Sequence, residues 1–234
     1  MAALTKLGLA GSYKCDLILY LSGILRSAGK NVAVADASAE QFLQYCVPVM
    51  FPGDSTVTYR DIDFYYRIKN EEDLRSVLEK EYDVLLVDAG FNREMAGFLR
   101  CSDYCVFVTD PEIHNVQMLK EFIDAFRESG KGEDEDKNAN LVRIFRDMCH
   151  GKINYKYLCD ILDSPDLMNY IGEYVFFLDE VDRSLRLHCQ YDYIIKFTKL
   201  SKEYKIMFAD MLETFFGMSR KQISKSLKKA ERGR

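Results

Sequence analysis

Residues 4–38 read LTKLGLAGSYKCDLILYLSGILRSAGKNVAVADAS. An apolar run enters a glycine-punctuated turn, after which Leu17, Leu21 and Leu25 recur at i, i+4 and i+8 with Ile18 and Ile24 beside them. That is the apolar stripe of a helix packed on a sheet, and Ala28-Gly29-Lys30 supplies its stop. Val32-Ala33-Val34-Ala35 then runs unbroken into Asp36. A short apolar run without alternation predicts a strand buried on both faces, as in parallel sheets. The stretch is therefore a βαβ unit. It sets the expected fold class: α/β, a mostly parallel β-sheet with helices on both faces.

The rest of the chain extends this pattern. Residues 39–54 hold a short helix and then a loop marked by Pro48, Pro52 and Gly53, and Val57 to Arg67 predicts an edge strand or hairpin. Its aromatic residues Tyr59, Phe64, Tyr65 and Tyr66 read as sheet packing, with a partner surface as the alternative. Glu71 to Lys80 is helical behind the N-cap Asn70, and Tyr82 to Gly90 is the clearest buried strand, delivering Asp88 and Gly90 at its carboxyl end. A helix from Arg93 to Arg100, a strand from Tyr104 to Thr109 and a helix from Asn115 to Arg127 follow. The acidic segment 129–140 reads as a mobile linker. Beyond it come a strand at Leu141 to Phe145, helical spacing over 155–170, a strand at Tyr174 to Leu178 and a closing helix at Lys199 to Phe216.

The chain has 234 residues, 48% hydrophobic and 29% charged, enough for one large domain, which we place at 1–217, followed by a basic tail at 218–234. The start lacks the basic and apolar segments of a signal peptide, and no run approaches the ~20 apolar residues of a membrane span, so a cytoplasmic location is expected. None of the seven cysteines makes a C-x-x-C pair, and the three histidines lack metal-ligand spacing, so reduced, buried thiols are the reading. A net charge of −5 argues against nucleic-acid binding by the core. The tail, with Ile223 and Leu227 set between Lys and Arg residues, reads mainly as a solvated segment. Binding to acidic lipid at the inner face of the membrane, to nucleic acid or to an acidic protein is the alternative.

Between the first strand and helix lies Gly8-Leu9-Ala10-Gly11-Ser12-Tyr13-Lys14-Cys15-Asp16, which keeps the length of a phosphate-binding loop, G-x-x-x-x-G-K-[ST]. Together with Asp36, the strand ending in Asp88-Ala89-Gly90, and CSDYCVFVTDPEIHNVQMLKEFIDAF at 101–126, it resembles the MinD/ParA family of P-loop ATPases over residues 4–216. The resemblance implies residual nucleotide-binding positions at Gly8, Gly11, Ser12, Tyr13, Lys14, Cys15 and Asp16. Asp36 and Asp88 match carboxylates that act, indirectly, on Mg²⁺. Departures are equally specific. Leu9 takes the place of the family's signature lysine, Tyr13 of the last loop glycine, Cys15 of the Mg²⁺-binding Thr or Ser, and Asp16 of a Thr. Phe145 and Phe177 stand at positions where Asn and Pro are usual, whereas Arg146 and Asp147 remain.

These departures have a common physical direction. A phosphate loop works because backbone N–H groups and a helix N-terminus face the anion, and a tyrosine crowds that approach. A thiol is a poor ligand for hard Mg²⁺, and a missing lysine removes charge stabilisation from phosphoryl transfer. The resemblance implies ATP or ADP with Mg²⁺ as cofactors, and the altered residues imply that this binding is weak or lost. The expectation is a pseudo-ATPase that serves as a positioning or assembly scaffold, of the kind found in pilus or secretion systems, as a homodimer with protein partners. A slow, atypical ATPase and a membrane or nucleic-acid adaptor working through the tail are the alternatives.

Overall fold

The computed structural model describes residues 4–48, 53–129, 139–162, 170–193 and 197–232. The acidic linker expected at 129–140 lies, apart from its ends, outside them, as does the far end of the helix expected over 155–170.

Eight strands form one sheet in the order β3-β4-β2-β5-β1-β6-β7-β8. They are β1 (Thr5–Gly11), β2 (Val32–Asp36), β3 (Thr56–Tyr59), β4 (Ile62–Tyr65), β5 (Val84–Gly90), β6 (Tyr104–Thr109), β7 (Asn140–Met148) and β8 (Tyr170–Phe177). Every pair is parallel except the hairpin β3–β4, which confirms the mostly parallel α/β class. The hairpin turns at Arg60 and Asp61, both at positive φ (51° and 57°), as a tight two-residue turn requires. Phe64, Tyr65 and Tyr66 are buried, so most of this aromatic segment is packing.

The unbroken apolar strands bury both faces. Leu7, Leu9, Val32, Val34, Leu86 and Val106 point into one core, under α1 (Cys15–Ser27), while Ala10, Ala33, Ala35, Leu85, Val87 and Phe107 point into the other. That second core lies under α2 (Glu71–Leu78), α3 (Ala96–Arg100), α4 (Ile113–Glu128) and α5 (Tyr155–Leu162). On the α1 side follow α6 (Glu180–Asp192), α7 (Lys202–Phe216) and α8 (Arg220–Glu231). Strands β2 and β6 leave the chain's first strand on opposite sides, so the crevice of the sheet opens beyond the carboxyl end of β1. No helix among the described residues is long and apolar enough to cross a membrane.

Two helices differ from the sequence reading. Helix α6 was not foreseen, although Val181, Leu185 and Cys189 recur at helical spacing; in the structure Asp179 caps it, and Asp182 Oδ1 accepts from Ser201 N at 2.8 Å. Helix α8, expected within a solvated tail, opens with a Ser219–Gln222 capping box and buries Ile223, Ser226 and Ala230 against α1 and α7. Its apolar face is thin because two of those three contacts are small residues, which let the helices approach closely.

Candidate functional site

The nine residues Gly8 to Asp16 are only partly a loop. Strand β1 continues through Gly11, which pairs with Val108 of β6, and Ser12 N donates to Val108 O at 2.9 Å. Leu9 is thus a core residue of a strand. The turn itself is Ser12-Tyr13-Lys14, and Cys15 starts α1. Both glycines serve this packing: a Cβ on Gly8 would meet Leu99 Cγ at 2.4 Å, and one on Gly11, at φ 114°, would meet Val108 O at 1.8 Å.

Lys14 is 2% exposed and turned inward. Its Nζ lies 2.7 Å from Asp88 Oδ1, at the end of the neighbouring strand β5, and donates to the carbonyls of Gly11 at 3.0 Å and Ser12 at 3.3 Å. An ammonium has three donors, and all three are engaged by the protein itself.

Asp16, in the first turn of α1, does not face the same space. Its carboxylate makes a two-pronged pair with Arg146 of β7, Nη1 to Oδ1 at 2.9 Å and Nη2 to Oδ2 at 2.8 Å, and Nη1 also donates to Tyr13 O at 3.1 Å. Burial alone would raise the Asp16 carboxyl, but the Arg146 guanidinium, with help from Arg186 and the Leu17 N–H, holds the group below its ordinary value. The retained Arg146 and Asp147 are thereby explained: Asp147, left-handed at φ 55°, accepts from Arg186 of α6 at 2.8 Å. The sequence reading noted Arg146 as a retained position without assigning it a partner, and it missed α6 altogether. The available signal for the first was a charged residue inside a buried strand, which demands a counter-charge.

Tyr13 closes the turn. Its hydroxyl accepts from Gln190 of α6 at 2.8 Å and lies 3.6 Å from Cys46 Sγ, and its ring leans on Phe42 at 6.0 Å between centroids. The Cys15 thiol is buried beside Cys46. Burial pushes the Cys15 thiol well up, and the hydrogen bond from Cys15 draws the Cys46 thiol down.

The two strand-end aspartates are also committed. Asp36 Oδ1 accepts from Ser38 N at 3.0 Å and Ser38 Oγ at 2.6 Å, and Oδ2 from Leu43 N at 3.1 Å, so it braces the segment that follows β2. Burial, reinforced by the charge of Asp88, raises its pKa to about 6. Asp88 Oδ1 accepts from Gly90 N at 2.9 Å besides meeting Lys14.

A pocket of about 330 Å³ opens here. Of the residues singled out from the sequence, Gly11, Ser12, Tyr13, Lys14, Cys15 and Asp88 line it, whereas Gly8, Asp16 and Asp36 do not. Ser38, Glu40 and Phe42 complete one wall, Gly90 and Phe91 the floor, and Asp110, His114, Asn115 and Met118 at the head of α4 the other wall. Ser12 Oγ is buried in this lining with no hydrogen-bond partner among the described residues.

The donor set does not fit a Mg²⁺-nucleotide. The hydroxyl position holds a buried thiol, both oxygens of Asp36 are occupied by the chain, and Asp88 is paired to the lysine that would meet phosphate. Among the described residues no group of three or more His, Cys, Asp or Glu side chains is placed to hold a metal ion.

No protein-family model matches the sequence, and no curated protein matches it. Solved structures do match. A plasmid-partition-type protein of Borrelia burgdorferi bound to AMPPNP superposes with TM-score 0.60 at 15% identity, over 92% of this chain and 99% of that one. The MinC:MinD cell division protein complex of Aquifex aeolicus gives 0.61 at 13% identity, over 92% and 97%. A ParA family ATPase from Chlorobium tepidum gives 0.57 at 13% identity, over 89% and 97%. The chain therefore has the fold of the MinD and ParA ATPases, as the succession of its motifs implied.

Proposed function

We propose that this chain is a degenerate MinD/ParA-like protein, a pseudo-ATPase that acts as a positioning or assembly scaffold through contacts with a second copy and with protein partners. The observation that carries the reading is the state of Lys14, whose three donors are engaged by Asp88, Gly11 and Ser12. A phosphate would have to displace a buried ion pair and two carbonyls. Asp16 sits where it compensates the positive end of α1, and Tyr13 stands over the turn. The chain thus supplies to Lys14, through Asp88 and two carbonyls, the acceptors that a phosphate would otherwise bring.

The positioning role is carried over from proteins of this fold, which include a MinC:MinD complex and a plasmid partition protein. A pilus or secretion assembly is our specific choice among such systems. Calorimetric titration with ATP and Mg²⁺, beside a phosphate-release assay, tests the reading. Neither binding nor turnover is expected. Tight binding with turnover that Lys14→Ala abolishes would establish instead the slow ATPase.

A second reading concerns α8. Lys221, Lys225, Lys228 and Arg232 are exposed on the face opposite Ile223, Ser226 and Ala230, so the packed helix presents a basic stripe outward. This favours electrostatic contact with an anionic surface, tested by salt-sensitive co-sedimentation with acidic vesicles and, separately, with duplex DNA.

A further inference from the structure

The pocket beyond β1 has a charge balance that a phosphate would worsen. Among the described residues Lys14 is the one lysine or arginine in its lining, and that charge is paired with Asp88 at 2.7 Å. Glu40 and Asp110 remain on opposite walls, so with His114 neutral the lining keeps two uncompensated negative charges. Glu40 is exposed and stands beside Gly90, where an added Cβ would meet its Oε2 at 3.2 Å. Among the described residues its carboxylate has no hydrogen bond or ion pair. Asp110 is held by neutral donors, Oδ1 accepting from Glu112 N at 3.0 Å and Oδ2 from Asn115 Nδ2 at 2.9 Å. These bonds orient the carboxylate without cancelling its charge.

An independent observation comes from the turn. Ser12 lines the pocket and is 3% exposed. Its N–H donates to Val108 O and its carbonyl accepts from Lys14 Nζ, but its Oγ has no hydrogen-bond partner among the described residues. A buried hydroxyl left unpaired is unfavourable, so the wall offers an acceptor to a donor from outside the chain. Apolar surface lies around these groups: Phe42 is 44% and Met118 40% exposed, and Phe91 is half-buried. Aromatic faces attract a cation.

We propose that this pocket binds a small organic cation, a primary ammonium on an apolar or aromatic body. The ammonium is placed between Glu40 and Asp110, within reach of Ser12, and the body against Phe42, Phe91 and Met118. A metal ion matches less well, because among the described residues no group of three or more His, Cys, Asp or Glu side chains is placed to hold one. The proposal rests on the reading that the pocket no longer takes a nucleotide, whose phosphates would face Glu40, Asp88 and Asp110 with Lys14 already paired.

The test is calorimetric titration of the full chain with phenethylamine at low ionic strength, beside phenethyl alcohol and phenylpropionate, which carry the same ring with no charge and with a negative one. Phenethylamine is expected to bind, the alcohol at least about tenfold more weakly, and phenylpropionate not at all. Glu40→Gln and Asp110→Asn are each expected to weaken phenethylamine about fivefold. Glu40 is exposed, so Glu40→Gln keeps the urea midpoint and stays informative if Asp110→Asn unsettles the head of α4. Equal binding of the three probes, no binding of phenethylamine at millimolar concentration, or full affinity in both variants would overturn the proposal. ATP is titrated separately. If neither ATP nor phenethylamine binds, only the cation assignment falls, whereas tight ATP binding removes the pseudo-ATPase reading on which it rests.

Discussion

Lys14 Nζ and Asp88 Oδ1 meet at 2.7 Å in a pair that is almost wholly buried, 2% and 5% exposed. The pair ties the turn after β1 to the end of β5. Removing one partner leaves the other charged in a medium that does not solvate it, which typically costs about 3–5 kcal/mol. Lys14→Ala and Asp88→Ala should each lower the urea midpoint sharply, and the double variant should lose much less than the two losses added. Additive losses would mean that the pair is not the relevant contact.

The Asp16–Arg146 pair makes a prediction in acid. The folded Asp16 carboxyl lies below its ordinary value of 3.8, so its contribution is present above that value and is lost as pH falls through the lower folded pKa. Asp16→Asn should therefore unfold at a lower denaturant concentration at neutral pH. Its stability should also depend less on pH below about 4 than that of the natural chain. Urea unfolding at a series of acid pH values checks both.

Asp36 predicts the opposite slope. Its folded pKa, about 6, is raised above the ordinary 3.8 by burial and by Asp88, so the folded state holds this proton more tightly. Its contribution favours folding below the ordinary value, declines between about pH 4 and pH 6, and is constant above. Asp36→Asn should flatten stability over that window. The carbon-13 shift of the Asp36 carboxyl, followed by NMR, should titrate near 6; titration near 3.8 would remove the basis for the slope.

Helix α8 separates packing from charge. Truncation after Gly217 uncovers the surface of α1 that meets Ile223, Ser226 and Ala230, so the thermal midpoint should fall. The triple change Lys221→Glu, Lys225→Glu and Lys228→Glu touches exposed positions and should leave the midpoint nearly unchanged while abolishing any binding to anionic vesicles or DNA. An unaltered midpoint on truncation would mean that α8 is not part of the folded core.

The sequence by itself determined the layered fold and its motif order. Unbroken runs such as Val32–Ala35 can be satisfied only with both faces covered, and Leu17, Leu21 and Leu25 can cover one. It also determined the residue types of the turn, a soft thiol at Cys15 and a bulky ring at Tyr13, on which the proposed loss of phosphate binding rests. What only the tertiary structure decided is where the charges went. Lys14 and Asp88, and Asp16 and Arg146, are distant in the chain, and their pairing depends on strand order and on which way each buried side chain turns. Helix α6 repeats Val181, Leu185 and Cys189 at helical spacing but buries only Cys189 among them, so its place against the core was not legible, and small residues hid the packed face of α8. Local patterns report burial, whereas a charge finds its partner across the sheet. The turn from Gly11 to Lys14 therefore looked like an open ligand loop in the sequence and is, in the folded chain, largely occupied by its own side chains.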